Sequence, residues 1–317
     1  ARALENPGKL YFYNNFIFVN ERYKGLHIID NSNTSAPNTI GFISIPGNID
    51  LTVKDDVLYA NSYLDLLAID ITTPTEVNLV KRSESVFPSL GEDPTAGSLV
   101  YFDEVRTTEI VSCHEFDNIF RNDDMIFLSN GGFMQSSEVI FDNNSSSGSG
   151  TGQGGSMARF TIVGDYMYAV DNQKLNVFDI QDVNNPNKVS EVEIGWNIET
   201  IYPYENKLFI GSSNGMFIYD LATPATPTYL SEFTHWEGCD PVVVDGDYAY
   251  LTLRGGNLCG QDESVLEVID IKDKTTPTLK ARYELKNPYG LGVKGNKLFV
   301  CDGTSGLKLF NKENPLN

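Results

Sequence analysis

Six stretches of this chain share one grammar, and their spacing constrains the fold more than any other feature. Each opens on a strand-like run, then a short turn such as Gly164-Asp165 or Gly246-Asp247, then a second strand carrying Tyr or Phe. A loop, an apolar strand closing on Asp, a Pro-containing turn and a fourth strand follow. The closing residue is Asp30, Asp70, Asp179, Asp220, Asp270 and, in the last stretch, Asn311, at intervals of 40, 109, 41, 50 and 41. The basic period is therefore about 40 residues, stretched once by about 70 and once by about 10. A period of this length with four strands per unit is what propeller blades require, because a lone four-stranded unit cannot bury both faces. The pattern predicts an all-β, six-bladed β-propeller of four antiparallel strands per blade, in one domain over residues 1–317. The repeated Asp is expected to accept N–H bonds from the Pro-containing turn, a structural role.

The sixth stretch, "LGVKGNKLFVCDGTSGLKLFNKENPLN", holds three strands and no fourth. Near its start "LKNPYGL" repeats the wording of the opening "LENPGKL". Residues 1–4 are accordingly expected to complete blade six, closing the ring and satisfying backbone groups at an open edge.

A formal net charge of -20 excludes ordinary nucleic-acid binding, which needs a basic surface, and electrostatic docking on anionic lipid. It fits an acidic, soluble surface or one that attracts basic partners. No apolar run is long enough to span a bilayer, so no transmembrane segment is expected.

In a propeller the links between blades and the loops between second and third strands emerge on one face, the default binding surface. Here that face gathers the ligand-binding candidates Arg22, Tyr23, Trp196, His235, Trp236, Asp240 and Arg254. Aromatic rings beside Arg and carboxylates can grip a sugar ring or a partner side chain. The competing reading has Trp196 and Trp236 plugging gaps between blades. The long insertion, residues 88–157, follows the last strand of blade two and is expected to rise from the same face as a lid or a decoration, not as a separate domain. Its "DNNSSSGSGTGQGGS" is a flexible tether by composition.

Catalytic and metal signatures are scarce. No GxSxG, Walker A, HExxH or dinucleotide fingerprint occurs, and no CxxC, so neither cofactor nor metal is expected. Cys113 and His114 are adjacent and would point to opposite sides of a strand. Cys239 and Cys259 fall on the loop face, where a disulfide or two thiols are both open. Cys301 closes a core strand and reads as a small apolar filler. His27 occupies a strand position filled elsewhere by Asn176, Phe217, Glu267 and Lys308, which suggests a peripheral place.

The segments "GLHIIDNSNTSAPNTIGFISIPGNI", "LLAIDITTPTEVNLVKR" and "LEVIDIKDKTTPTLKARYEL" resemble LVIVD-repeat proteins, in the apolar strand ending in Asp and the Pro-containing turn after it. The opening "NPGKLYFYNNFIFVNERYKGLHIIDNS" is similar to exported Bacteroidetes lipoproteins of that family. The resemblance spans most of the chain apart from about residues 88–157. It implies a propeller and an exported, lipid-anchored location at the cell envelope or outer-membrane surface, and it implies no reaction. The function expected is a non-enzymatic, monomeric scaffold that binds a protein or glycan through its loop face. The alternative is a carbohydrate-active hydrolase or lyase with its site under residues 88–157.

Overall fold

The two-residue turns that join first to second strands need left-handed backbone, and the chain supplies it at each of them. Asn14 has φ 52°, Asp55 47°, Asp56 60°, Gly164 60°, Glu205 50°, Gly246 59° and Gly295 55°. Such turns match the twist of the flanking strands and set hairpin register. In the fourth stretch, Glu205 takes this conformation without help from Gly.

A computed structural model describes residues 2–5, 7–93, 95, 97–100, 153–154, 158–235, 241–255 and 263–316. The chain divides into two compact units, residues 1–88 with 136–317, and residues 89–135. The larger unit is a ring of six antiparallel blades. Blade one holds β1 (Pro7–Tyr13), β2 (Phe16–Glu21), β3 (Gly25–Asp30) and β4 (Asn38–Ser44). Blade two holds β5 (Leu51–Lys54), β6 (Val57–Ser62), β7 (Asp65–Asp70) and β8 (Asn78–Ser83). In the smaller unit β9 (Gly91–Asp93) pairs with β10 (Gly97–Leu99). The short β11 (Gln153–Gly154) adds to the inner edge of β1. Blade three holds β12 (Phe160–Val163), β13 (Tyr166–Val170), β14 (Lys174–Asp179) and β15 (Asn187–Glu193). Blade four holds β16 (Ile198–Tyr204), β17 (Lys207–Ser212), β18 (Gly215–Asp220) and β19 (Thr228–Thr234). Blade five holds β20 (Val242–Asp245), β21 (Tyr248–Leu253), β22 (Val265–Asp270) and β23 (Thr278–Glu284). Blade six holds β24 (Leu291–Lys294), β25 (Lys297–Cys301) and β26 (Leu307–Asn311), with a 3-10 turn at Gly303–Ser305.

Middle strands are buried on both faces because each blade is sandwiched; β6 is buried along its whole length. Five apolar clusters join consecutive blades, from Tyr11, Phe18 and Leu26 against Leu51 and Leu58 to Tyr250 and Leu266 against Leu291 and Leu298. Hydroxyl groups reach from one blade to the outer turn of the next. Tyr59 donates to Val183 O (2.7 Å), Tyr168 to Pro224 O (2.9 Å) and Tyr283 to Pro315 O (2.9 Å). At the inner hairpin turns Lys54 Nζ donates to Asp165 Oδ1 (2.6 Å), and the Gly246 N–H donates to Tyr204 Oη (2.8 Å).

The repeated Asp does what its position suggests. Asp30 Oδ1 accepts the Ser32 N–H and hydroxyl, and Asp70 Oδ1 those of Thr72. Asp179, Asp220 and Asp270 each accept the N–H two residues on, as does Asn311. A register shift recurs one or two residues before the Asp in blades one to five, for example between Ala68 and Ile69.

At blade six, Ala1 and Asn6 lie outside the described residues. The closing strand expected from residues 1–4 is not among the described strands, and the sheet has three members. Residues 2–5 are exposed and irregular. Charge draws them to blade one. Arg2 Nη2 lies 3.1 Å from Glu21 Oε1 and its guanidinium 4.9 Å from the centre of the Phe42 ring, while Glu5 pairs with Lys24 at 3.1 Å.

Candidate binding site on the loop face

The innermost strands of all six blades start at the same end of the ring. Counting back four residues from the last residue of each gives one equivalent place, occupied by Lys9, Asp50, Arg159, Thr200, Pro241 and Gly290. Charge is thus confined to blades one, two and three. The blade links and second-to-third-strand loops lie at this end. Tyr23 N–H donates to Asn48 O (2.8 Å), Gly47 N–H to Tyr23 O (2.9 Å) and Ser213 N–H to Asn197 O (3.1 Å).

Asp50 is the hub. Its carboxylate is buried, and its Oδ2 accepts Lys9 Nζ at 2.9 Å, the Phe160 N–H at 3.0 Å and the Arg159 N–H. Its Oδ1 accepts the Leu51 N–H at 2.8 Å. One carboxylate so ties three blades together. Burial pushes the Lys9 amine down to about 8; Asp50 opposes the shift, while the charges of Arg159 and Arg22 add to it. Burial likewise pulls Arg159 down, against the raising effect of Glu199, Asp50 and Asp171. The Arg22 stem packs on Gly8, where an added Cβ would lie 3.1 Å from its Cγ.

Two tyrosines on neighbouring blades hold left-handed backbone, Tyr23 with φ 62° and Tyr63 with φ 52°. For a bulky residue this costs about 1–3 kcal/mol, and such strain clusters at working sites. The Tyr63 ring lies against Gly47, whose own φ is 76° and whose added Cβ would fall 2.5 Å from the ring. Arg22 Cζ stands 5.7 Å from the centre of the Tyr23 ring.

Two buried imidazole–carboxylate pairs lie further out. His27 Nε2 is 2.7 Å from Glu21 Oε2, and Lys24 Nζ donates to Glu21 Oε1 at 3.2 Å. Burial alone would raise Glu21, but hydrogen bonds from His27 and Lys24 and the Arg2 charge outweigh it and hold the carboxyl below its ordinary range. The peripheral reading of His27 is corrected here: the ring is buried, edge-on to Phe42 at 4.8 Å between centroids. Glu267, at the equivalent strand position of blade five, faces His235 Nδ1 at 3.1 Å and accepts Arg282 Nε at 2.7 Å.

Of the sequence candidates, Arg22 and Tyr23 are brought beside Tyr63 and the Asp50 hub. Trp196 stands on the link from blade three to blade four and is 62% exposed, so it plugs no gap between blades. Arg254 Cζ lies 4.4 Å from the centre of the Tyr289 ring, between blades five and six. The His235 side chain is buried. Trp236, Asp240, Cys239, Cys259, Cys113 and most of the 88–157 insertion lie outside the described residues. Cys301 is half-buried at the end of β25. Among the described residues no group of three or more His, Cys, Asp or Glu could hold a metal ion, and no helix is long and apolar enough to cross a membrane. Lys9, Asp50 and Arg159 escaped the sequence reading; superposing the six stretches on their turns would have shown charge at a place where blades five and six carry Pro and Gly.

Three segments of the chain, residues 9–43, 154–194 and 239–284, match the LVIVD repeat, on blades one, three and five. No curated protein matches the chain. Among solved structures, a protein from Lactobacillus plantarum is similar at 12% identity and a TM-score of 0.63, over 98% of this chain and 82% of that one. A functionally unknown protein from Desulfotomaculum acetoxidans is similar at 13% identity and a TM-score of 0.58, over 94% and 75%. The computationally designed Ika8 protein is similar at 10% identity and a TM-score of 0.56, over 98% and 73%. At such identities the likeness is one of fold.

Proposed function

We propose that this six-bladed propeller of the LVIVD-repeat type is an exported, envelope or cell-surface scaffold that binds a protein or glycan on its loop face without turning it over. One observation carries the reading: Trp196 stands 62% exposed on a blade link of that face. An indole left in water costs apolar exposure, and a flat ring or apolar side chain laid on it recovers that cost. Strained Tyr23 and Tyr63, and Arg254 with its Cζ 4.4 Å from the centre of the Tyr289 ring, support it, being preorganised groups. The export part rests on the sequence resemblance to exported lipoproteins.

The test is a screen of envelope glycans and surface extracts against the immobilised protein, repeated with Trp196→Ala and Arg254→Ala. Loss of about tenfold or more in affinity for whatever binds is expected from each. Unchanged binding in both variants would remove the loop face from consideration. Protease shaving of intact cells tests the location, with the protein expected among the released fragments.

A further inference from the structure

The link from blade three to blade four is clipped in place on both sides of Trp196. Before it, the Ile194 and Gly195 N–H groups donate to Gln173 O (2.9 and 3.3 Å); after it, the Ile198 N–H donates to Asn172 O (3.0 Å). Asn172 and Gln173 form the turn between the second and third strands of blade three. The link is also tied to the matching loop of blade four. The Ser213 N–H donates to Asn197 O (3.1 Å), Asn197 Nδ2 donates to Ser213 Oγ (3.2 Å), and Ser213 Oγ donates to Asn214 Oδ1 (3.2 Å). An exposed indole thus stands on backbone held from two blades, among residues that carry neutral amides and a hydroxyl. We infer that this junction is a sugar site: Trp196 takes the C–H face of an uncharged pyranose ring, and the amides beside it take the ring's hydroxyl groups.

The chemistry selects this class of ligand. Asn172, Gln173, Trp196, Asn197, Ser213 and Asn214 carry no charge. Asp171, just before the turn, is buried, and its carboxylate accepts the Gln173 and Lys174 N–H groups (2.9 and 2.8 Å) and the Asn176 amide (3.2 Å). Lys174 pairs with Glu191 and Glu193. The junction therefore offers a flat apolar ring beside groups that both donate and accept. A sugar is the matching shape: its faces are apolar, and its rim carries hydroxyls that also donate and accept. An apolar protein side chain would use the indole alone and desolvate the amides without replacing their hydrogen bonds. The platform is preorganised as well. Asn197 holds left-handed backbone, φ 53°, which Asn tolerates, and the clips on either side fix the base of the indole, so little order is lost on binding. The junction of blades one and two repeats the plan with its parts exchanged. Gly47 holds φ 76° there, and the ring against it belongs to Tyr63, the loop residue that corresponds to Ser213.

The inference rests on the loop-face reading and names the ligand's chemistry. Titration calorimetry on the full chain would use cellohexaose, xylohexaose and mannohexaose as neutral probes, with hexagalacturonate as the charged comparison. Saturable binding of at least one neutral probe is expected, with the same affinity at low and high sodium chloride because no charge takes part. Trp196→Ala should weaken it about tenfold or more, and Trp196→Phe, which keeps a flat ring, should lose less. Gln173→Ala and Asn214→Ala should each weaken it about threefold or more. Trp196 is exposed, and the backbone clips do not depend on the Gln173 or Asn214 side chains, so all four variants should unfold at the wild-type Tm. Failure of every neutral probe to bind at about 10 mM overturns the inference, as does equal binding by the wild type and Trp196→Ala. Binding of hexagalacturonate alone, abolished by salt, overturns it too. In any of these cases a surface protein that is captured by the wild type and lost with Trp196→Ala or Arg254→Ala would leave the loop-face reading standing without the sugar site.

Discussion

Glu21 is a carboxylate with no solvent of its own, surrounded by His27, Arg2 and Lys24. Glu21→Gln keeps the shape and removes the charge, leaving a buried imidazole and two cations facing a neutral amide. The expected loss is about 1–3 kcal/mol at pH 7 by urea unfolding. The pH dependence has a definite sign. The folded carboxyl sits below its ordinary range, so its contribution is complete above about pH 4.3 and disappears as pH falls through the folded value. The gap between wild type and Glu21→Gln should therefore close in acid. A gap of the same size at pH 3 and pH 7 would mean that the carboxylate charge contributes nothing.

At the scale of the element, two glycines set how third strands begin. Gly25 (φ 140°) and Gly215 (φ 134°) open β3 and β18, and a Cβ on either would lie 2.0 Å from a backbone oxygen of the next strand, Ile43 O or Phe233 O. Neither backbone can yield without breaking its ladder. Gly25→Ala and Gly215→Ala should each cost about 3 kcal/mol or more in urea unfolding. Gly246→Ala, in a turn with open space around the Cβ position, should cost about 1 kcal/mol. Tyr59→Phe and Tyr168→Phe, which leave Val183 O and Pro224 O without their inter-blade donors, should cost about 1 kcal/mol each. These elements were legible in the sequence because they repeat: the Asp that closes the third strand occurs five times, with Asn311 in the sixth stretch, and the turn before the second strand occurs six times. The Asp50 hub was illegible for the opposite reason. Lys9, Asp50 and Arg159 hold one place with three chemistries, and their mutual contact depends on blades that are far apart in the sequence. His27 misled for the same reason. The residues that replace it differ in kind, yet two of them meet a carboxylate of their own blade as His27 meets Glu21: Asn176 with Asp171 (3.2 Å) and Lys308 with Asp302 (2.5 Å).

For the larger unit as a whole, stability is a sum over junctions, as in any chain of stacked repeats. Five junctions carry apolar clusters. Among the described residues none joins blade six to blade one. On blade six the face turned away from blade five carries Leu307 and Leu309, 49% and 54% exposed, and among the described residues β26 is an edge strand with no fourth strand beside it. Arg2 pairs with Glu21 and Glu5 with Lys24, both on blade one. Opening should therefore begin at blade six and move inward, since its release breaks one apolar junction where an inner blade must break two. Hydrogen exchange at neutral pH is the direct measurement. Amides of residues 307–311 should exchange about a hundredfold faster than those of 265–270, the corresponding strand of blade five. Both strands belong to the same three-dimensional role in adjacent blades, so local propensity does not distinguish them; only the missing neighbour does. Equal protection of the two would show that blade six is clamped from the far side, and the ring would then be shut at a junction where its described side chains leave apolar surface in water.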